Sequence, residues 1–213
     1  MSSQADELVR FLRVMDEAGC LEHVVLIGSW AEYVWWHAGL LEGFRPNIRT
    51  LDIDLLVRNM HRPVPEVHLT AVAREHGYPV ESDRLTGVTK IYSLGGLEIE
   101  FLIGKVGAGR ESSLNTNLGV VAQSLRHLDV LARFTIEVDL EGLRLRVPTP
   151  EAYAVHKMAV NHERGRKKEK DAKAIERMWP HLDRGCLATV LESCTRRERS
   201  RVDAFMAQHG LEG

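Results

Sequence analysis

Cysteine is scarce in this chain. Cys20, Cys186 and Cys194 are odd in number and lack metal-site spacing. That excludes a disulfide framework and a thiolate metal site, and the three read as reduced thiols of a cytoplasmic protein. Long apolar runs are missing too. None approaches the ~20 residues a bilayer span needs, and the opening MSSQADELVR has no apolar signal core. Neither sign of charge dominates. A formal net charge of −2 excludes a molecule-wide basic field for nucleic acid and leaves only local patches. There is no internal repeat or low-complexity tract. The glycine-rich stretch 104–119, GKVGAGRESSLNTNLG, lacks the Gly-Lys-Ser/Thr ending of a phosphate-binding P-loop and reads as a mobile surface loop.

What is present is enough apolar residue, 44% of 213, to bury a core. The length suits one domain with an appendage or two small domains. The chain is organised around Val24–Val57. The apolar run Val24-Val25-Leu26-Ile27 predicts a central strand covered on both faces. It stops at Gly28-Ser29. Gly28 permits close backbone approach and unusual dihedrals. Ser29 suits a helix cap, and the amides of a helix start favour an anion. A helix-like segment, Trp30 to Leu41, follows, and its tryptophans read mostly as core. Arg45 and Arg49 precede the acid strand, where they can touch a phosphate or balance carboxylates.

Leu51–Val57, LDIDLLV, is a strand with two acids. Alternation puts Leu51, Ile53, Leu55 and Val57 on one face and Asp52 and Asp54 on the other. The two carboxylates then stand about 7 Å apart along the strand, at ~3.3 Å per residue. Like charges repel and desolvation is costly, so a divalent cation between them would offset both costs. Leu97–Leu102 repeats the pattern with Glu98 and Glu100 after a Gly95-Gly96 turn. Three carboxylates converging from two strands suit a pair of hard cations, and the third can also accept a proton. On residue pattern alone Glu98 and Glu100 read equally well as solvent-facing acids.

Further strands are expected near 88–93, 134–140 and 143–147, the last two as a hairpin at Glu141-Gly142. Residues 5–19 and 65–77 read as helices, 78–80 as a loop, and 120–132 as a helix or irregular apolar segment with Leu125, Leu128 and Leu131 inward. Thr149 and Pro150 cap a helix from Glu151 to about Glu163. Within it Lys157 reads as a snorkelling side chain. A basic turn, Arg164 to Lys170, leads to a helix over 172–178, and two more cover roughly 181–193 and 195–209.

The Gly28-Ser29 turn followed by Asp52-x-Asp54 resembles the nucleotidyltransferase superfamily of the DNA polymerase β type. The later run of Pro148-Thr149-Pro150-Glu151, His156-Lys157, an Arg-Gly turn and Lys170-Asp171 is similar to one branch, the bacterial families related to the toxin component of type IV abortive-infection systems. Four motifs stand in the same order, over residues 28 to 171. The resemblance implies an α+β (α/β-like) fold, a small mixed sheet flanked by helices. It implies a catalytic core over 1–147 and a helical part over 148–213 that closes the nucleotide cleft. Asp52, Asp54 and Glu100 would be catalytic and would hold Mg²⁺ (or Mn²⁺). Glu100 is preferred over Glu98 because the family's third acid precedes an aromatic-Leu pair, here Phe101-Leu102. Gly28, Ser29 and Lys157 would hold the nucleotide phosphates, and Asp171 would be the acid of the last motif. Relatives place a second Asp three residues on, where this chain has Ala174. The implied activity is transfer of a nucleoside monophosphate from a nucleoside triphosphate to a hydroxyl of RNA, protein or a small molecule. A toxin-like role would add an antitoxin-like partner. A different class, an inactive nucleotide-binding or regulatory protein, would suit a chain in which one of the three acids was neutral.

Overall fold

The computed structural model describes residues 3–47, 50–58, 67–105 and 112–211. The chain opens with α1 (Gln4–Glu17), whose Leu8, Phe11, Leu12 and Met15 are buried at helical spacing and whose Ser3 and Asp6 form a capping box. Then come β1 (Val24–Ile27), α2 (Ser29–His37), β2 (Asp52–Val57), α3 (Leu69–Glu75), β3 (Val80–Ser82), β4 (Thr89–Tyr92) and β5 (Glu98–Gly104). After these run β6 (Ser113–Asn115), β7 (Val121–Leu125), α4 (Asp129–Arg133) and the hairpin β8 (Thr135–Leu140) and β9 (Leu143–Pro148). Four helices finish the chain: α5 (Pro150–Val160), α6 (Lys168–Met178), α7 (Arg184–Glu192) and α8 (Arg196–His209).

Among the described residues seven strands form one sheet. β2 is its hub: it pairs antiparallel with β1 and parallel with β5. The far edge of β5 is shared. β4 pairs antiparallel with its first half and β7 parallel with its second. One face of the hub is closed by Ile53, Leu55, Ile99 and Phe101, all fully buried. The fold is therefore the expected mixed sheet flanked by helices, but with more strands than the sequence suggested. Residues 121–125 are strand, not helix. The free upper edge of β5 gives them a hydrogen-bond ladder that a lone amphipathic turn cannot match, and Leu128 and Leu131 still point inward. Ser113–Asn115, read as loop, forms β6 on the edge of β7. Val80–Ser82, also read as loop, forms β3 against β4. α2 stops at His37, four residues early, where Ala38 caps it and Gly39 turns with φ +67°. α3 begins at Leu69, and Pro65 lies outside the described residues.

The C-terminal helices share the core with the sheet. Thr149 caps α5, its Oγ1 accepting from the Ala152 amide at 3.2 Å, and Pro150 occupies the first helical position. α5 is buried along nearly its whole length and packs against α6, α7 and α8. Trp35 of α2 joins the two ends of the fold. Its indole N–H donates to the Pro148 carbonyl at 3.0 Å, and its ring meets Tyr153 edge-on. Trp30 is buried as well, whereas Trp36 is exposed. Among the described residues no helix is long and apolar enough to cross a membrane.

Candidate active site

The turn after β1 is built around Gly28, at φ 69° and ψ −160°. That region of backbone space is essentially closed to other residues, at a cost of roughly 1–3 kcal/mol. Space imposes the same demand: a Cβ at this position would fall 2.4 Å from Asp54 Oδ2. The cause is the β1–β2 register, which sets Ile27 opposite Asp54 and brings the chain at Gly28 against the carboxylate. The amides that open α2 follow directly.

Parallel pairing of β2 with β5 sets Asp54 beside Glu100 and Asp52 beside Glu98. All four acids therefore share one face of the sheet, in two rows. β4 extends both rows, placing Lys90 beside Glu100 and Tyr92 beside Glu98. The Lys90 ammonium donates to Glu98 and lies 3.1 Å from Glu100 Oε1. These contacts, above all the bond to Glu98, raise the lysine's pKa and keep it charged. Asp52 is tethered differently. Its amide donates to Thr50 Oγ1 at 3.2 Å, and the Lys167 ammonium stands 3.8 Å from Oδ2. Burial, and behind it the charges of Glu100 and Asp52, push the Asp54 carboxyl up to about 6.

A cavity of about 190 Å³ opens onto this face. Gly28, Asp52, Asp54, Glu100, Lys157, Arg164 and Lys167 line it, with Leu102, Leu125 and Tyr153 as apolar wall. Glu98 is not among the lining residues. His156 is, but burial pushes its imidazole down to about 4, and Nδ1–H donates to the His127 carbonyl at 2.8 Å. Ser29 and Asp171 face an adjoining groove of about 630 Å³, where Arg166, Lys170, Lys173 and Arg177 also stand. Lys157 lines both spaces. Of the two arginines read beside the acids, Arg45 is exposed and Arg49 lies outside the described residues.

Lys157 does not snorkel. Its side chain is 8% exposed, and its ammonium donates to Asp171 Oδ1 at 2.6 Å over the Tyr153 ring. Arg164 Nε donates to the other oxygen, Asp171 Oδ2, at 2.8 Å. Burial alone would raise the Asp171 pKa, but the two cations outweigh it and hold the carboxyl below its usual value. Asp171 is thus saturated by two bases, which it aims along the cavity wall. Arg164 stands seven residues before Asp171. That spacing was visible, but the turn between them hid that the side chain folds back. Lys90 was findable by folding β4 and β5 symmetrically about Gly95.

The donor set suits a hard divalent cation, because Asp52, Asp54 and Glu100 offer only oxygens to one cavity. Asp54 is raised first by burial and then by its acidic neighbours, and Lys167 and Arg164 only partly offset both. Among the described residues no group of three carboxylate, imidazole or thiol side chains already converges on a metal position. Lys90 contacts Glu100 from the side, 3.1 Å from Oε1.

Fold and site together define a class: α+β proteins that set a glycine turn and a helix start against paired carboxylates on a mixed sheet. The chain belongs to the nucleotidyltransferase family, whose sequence profile matches residues 6–181. Its structure is similar to that of an antigenic nucleotidyltransferase-like protein from Paracoccidioides brasiliensis, at 16% identity and a TM-score of 0.57, over 96% of this chain and 89% of that one. That likeness is one of fold. A looser one, at 14% identity and a TM-score of 0.44 over 97% and 93% of the two chains, links it to the antibiotic-resistance factor ANT(2'')-Ia. No curated protein sequence matches.

Proposed function

We propose that this protein is a divalent-metal-dependent nucleotidyltransferase of the cytoplasm. It moves a nucleoside monophosphate from a nucleoside triphosphate to an acceptor hydroxyl. The observation that carries the reading is the Asp54–Glu100 pair, set against Gly28 in a cavity that Lys157 and Arg164 also line. Asp52, Asp54 and Glu100 would hold Mg²⁺ or Mn²⁺, which when bound orients phosphate oxygens and stabilises their charge. The Gly28 turn and the amides at Ser29 receive the distal phosphates. Lys157, aimed by Asp171, neutralises charge that grows on them. The acceptor oxygen attacks the α-phosphorus, its proton passes to Glu100, and pyrophosphate leaves.

Volume divides the ligand. The cavity, about 190 Å³, is the smaller space, and the adjoining groove is about 630 Å³. Phosphates and ions fit the cavity, and the nucleoside or the acceptor extends into the adjoining groove. Residues 1–147 would then be the catalytic core and 148–213 the part that closes the cleft. Arg166, Lys170, Lys173 and Arg177 bring cations to that groove, which Glu32, Glu169 and Glu176 also line. These cations can meet the phosphates of an RNA acceptor, in the manner of a toxin-like enzyme held by an antitoxin-like partner. A second reading, an inactive nucleotide-binding regulator, draws on the hold of Lys90 over Glu100.

Calorimetric titration of the four nucleoside triphosphates, with and without Mg²⁺, tests this on the wild type and on Asp52→Asn/Asp54→Asn. One triphosphate should bind, only with metal and only to the wild type. Equal binding by the variant, or none by either, would sink the enzyme reading.

A further inference from the structure

Lys90, Glu98 and Glu100 form a set that the reaction above does not use in full. Three adjacent strands, β2, β5 and β4, carry Asp54, Glu100 and Lys90 as one row across the sheet. Neighbouring strands lie about 4.8 Å apart, so Lys90 reaches Glu100 from the side opposite Asp54. The next row holds Asp52 and Glu98. One ammonium therefore serves two carboxylates, and it takes Oε1 of each. An ammonium has three donors and no acceptor, so it needs a carboxylate partner wherever it stands. Lys90 and Glu98 are each about two-thirds to three-quarters covered, which makes an unpartnered state of either costly.

We propose that Lys90 is the positioning residue of the third carboxylate, holding Glu100 until a divalent cation takes it and then retiring wholly onto Glu98. This rests on the reading of Asp52, Asp54 and Glu100 as the metal site. It gives Glu98 a task of its own: it is the resting place for the lysine. A cation approaching Glu100 must displace the ammonium from it. The displacement is inexpensive because the bond to Glu98 already exists. Without Lys90 four acids would face one another on one sheet face, with Lys167 beside Asp52 and only Lys167 and Arg164 acting on Asp54. Without Glu98 the lysine would have Glu100 alone, and would hold it harder.

The test is a double-mutant cycle read by calorimetric titration of Mn²⁺ into the wild type, Lys90→Met, Glu98→Gln and the double variant. Lys90→Met should tighten Mn²⁺, and Glu98→Gln should weaken it, each on the order of threefold to tenfold. In the Lys90→Met background, Glu98→Gln should change little, because Glu98 acts through the lysine. If instead Glu98→Gln weakens Mn²⁺ equally in both backgrounds, Glu98 is a plain local charge and the proposal is overturned. It is overturned too if Lys90→Met lowers the unfolding temperature and leaves Mn²⁺ affinity unchanged, the mark of a purely structural lysine. Lys90→Gln serves as a second neutral variant. Should neither neutral variant fold, unchanged Mn²⁺ affinity in Glu98→Gln alone overturns the proposal. Asp54→Asn separates the premises. If the wild type takes Mn²⁺ and Asp54→Asn does not, the metal reading stands whatever the cycle returns. If the wild type takes none, the metal reading falls and this inference falls with it.

Discussion

Asp54 shows how a single carboxylate can be both costly and placed for a purpose. It is crowded by Glu100 and Asp52 and largely withdrawn from water, so its native pKa rises to about 6, while an unfolded Asp ionises near 3.9. Between about pH 4 and 6 the native state binds more protons than the unfolded state. Stability from this group is therefore full below about pH 4 and is lost as pH rises through 6. Asp54→Asn should raise the unfolding temperature of chelator-treated protein at pH 8 and leave it unchanged near pH 3. Two pKa units bound the gain at about 3 kcal/mol. An equal shift at both pH values would assign the effect to packing instead of charge. The alternation of residues 51–57 made both acids legible as a pair on one face. It did not show their neighbours, because Glu100 and Gly28 reach Asp54 across strand pairings that no local pattern encodes.

Between elements, the clamp of α5 to α6 matters most. Lys157 leaves one helix and Arg164 the turn after it, and both end on Asp171 of the other. The linkage has the opposite sign to that of Asp54. The Asp171 carboxyl is held low, so its stabilisation is present above the unfolded value and disappears as pH falls through the native one. Removing its charge strands a buried ammonium, which costs roughly 3–5 kcal/mol. Loss of the Thr149 cap of α5 costs only about 1 kcal/mol. Urea denaturation at pH 7 should therefore place Asp171→Asn well below Thr149→Ala in midpoint. A reversed order would mean that the clamp is solvated and weak. His156-Lys157 and Lys170-Asp171 stood out in the sequence as spaced motifs. That the lysine is buried, and that Arg164 completes the pair, came from the turn at 161–167, whose backward course no periodicity describes.

For the molecule as a whole, the proposed division at residue 147 does not separate two cores. Tyr153, Val155, Met158 and Ile175 belong to the same buried cluster as the sheet residues Leu26, Ile53 and Ile99. Trp35 also donates its hydrogen bond to the Pro148 carbonyl, just past that division. A fragment of residues 1–147 should accordingly lose its near-ultraviolet circular dichroism and bind a hydrophobic dye. A cooperative unfolding transition in the fragment would show instead that the core stands alone. The family match ends at residue 181, before α7 and α8, yet both pack on α5. They support from behind the helix that delivers Lys157.

The sequence alone determined the glycine turn, the acid strands, the capped helix and the order of the motifs. Each is a local pattern of side-chain period or backbone freedom, written in consecutive residues. Tertiary structure alone decided the rest: β7 at the upper edge of β5, and the four acids on one face. These depend on which strand lies beside which and in what register. Register is a property of two segments at once, chosen by how their buried faces pack.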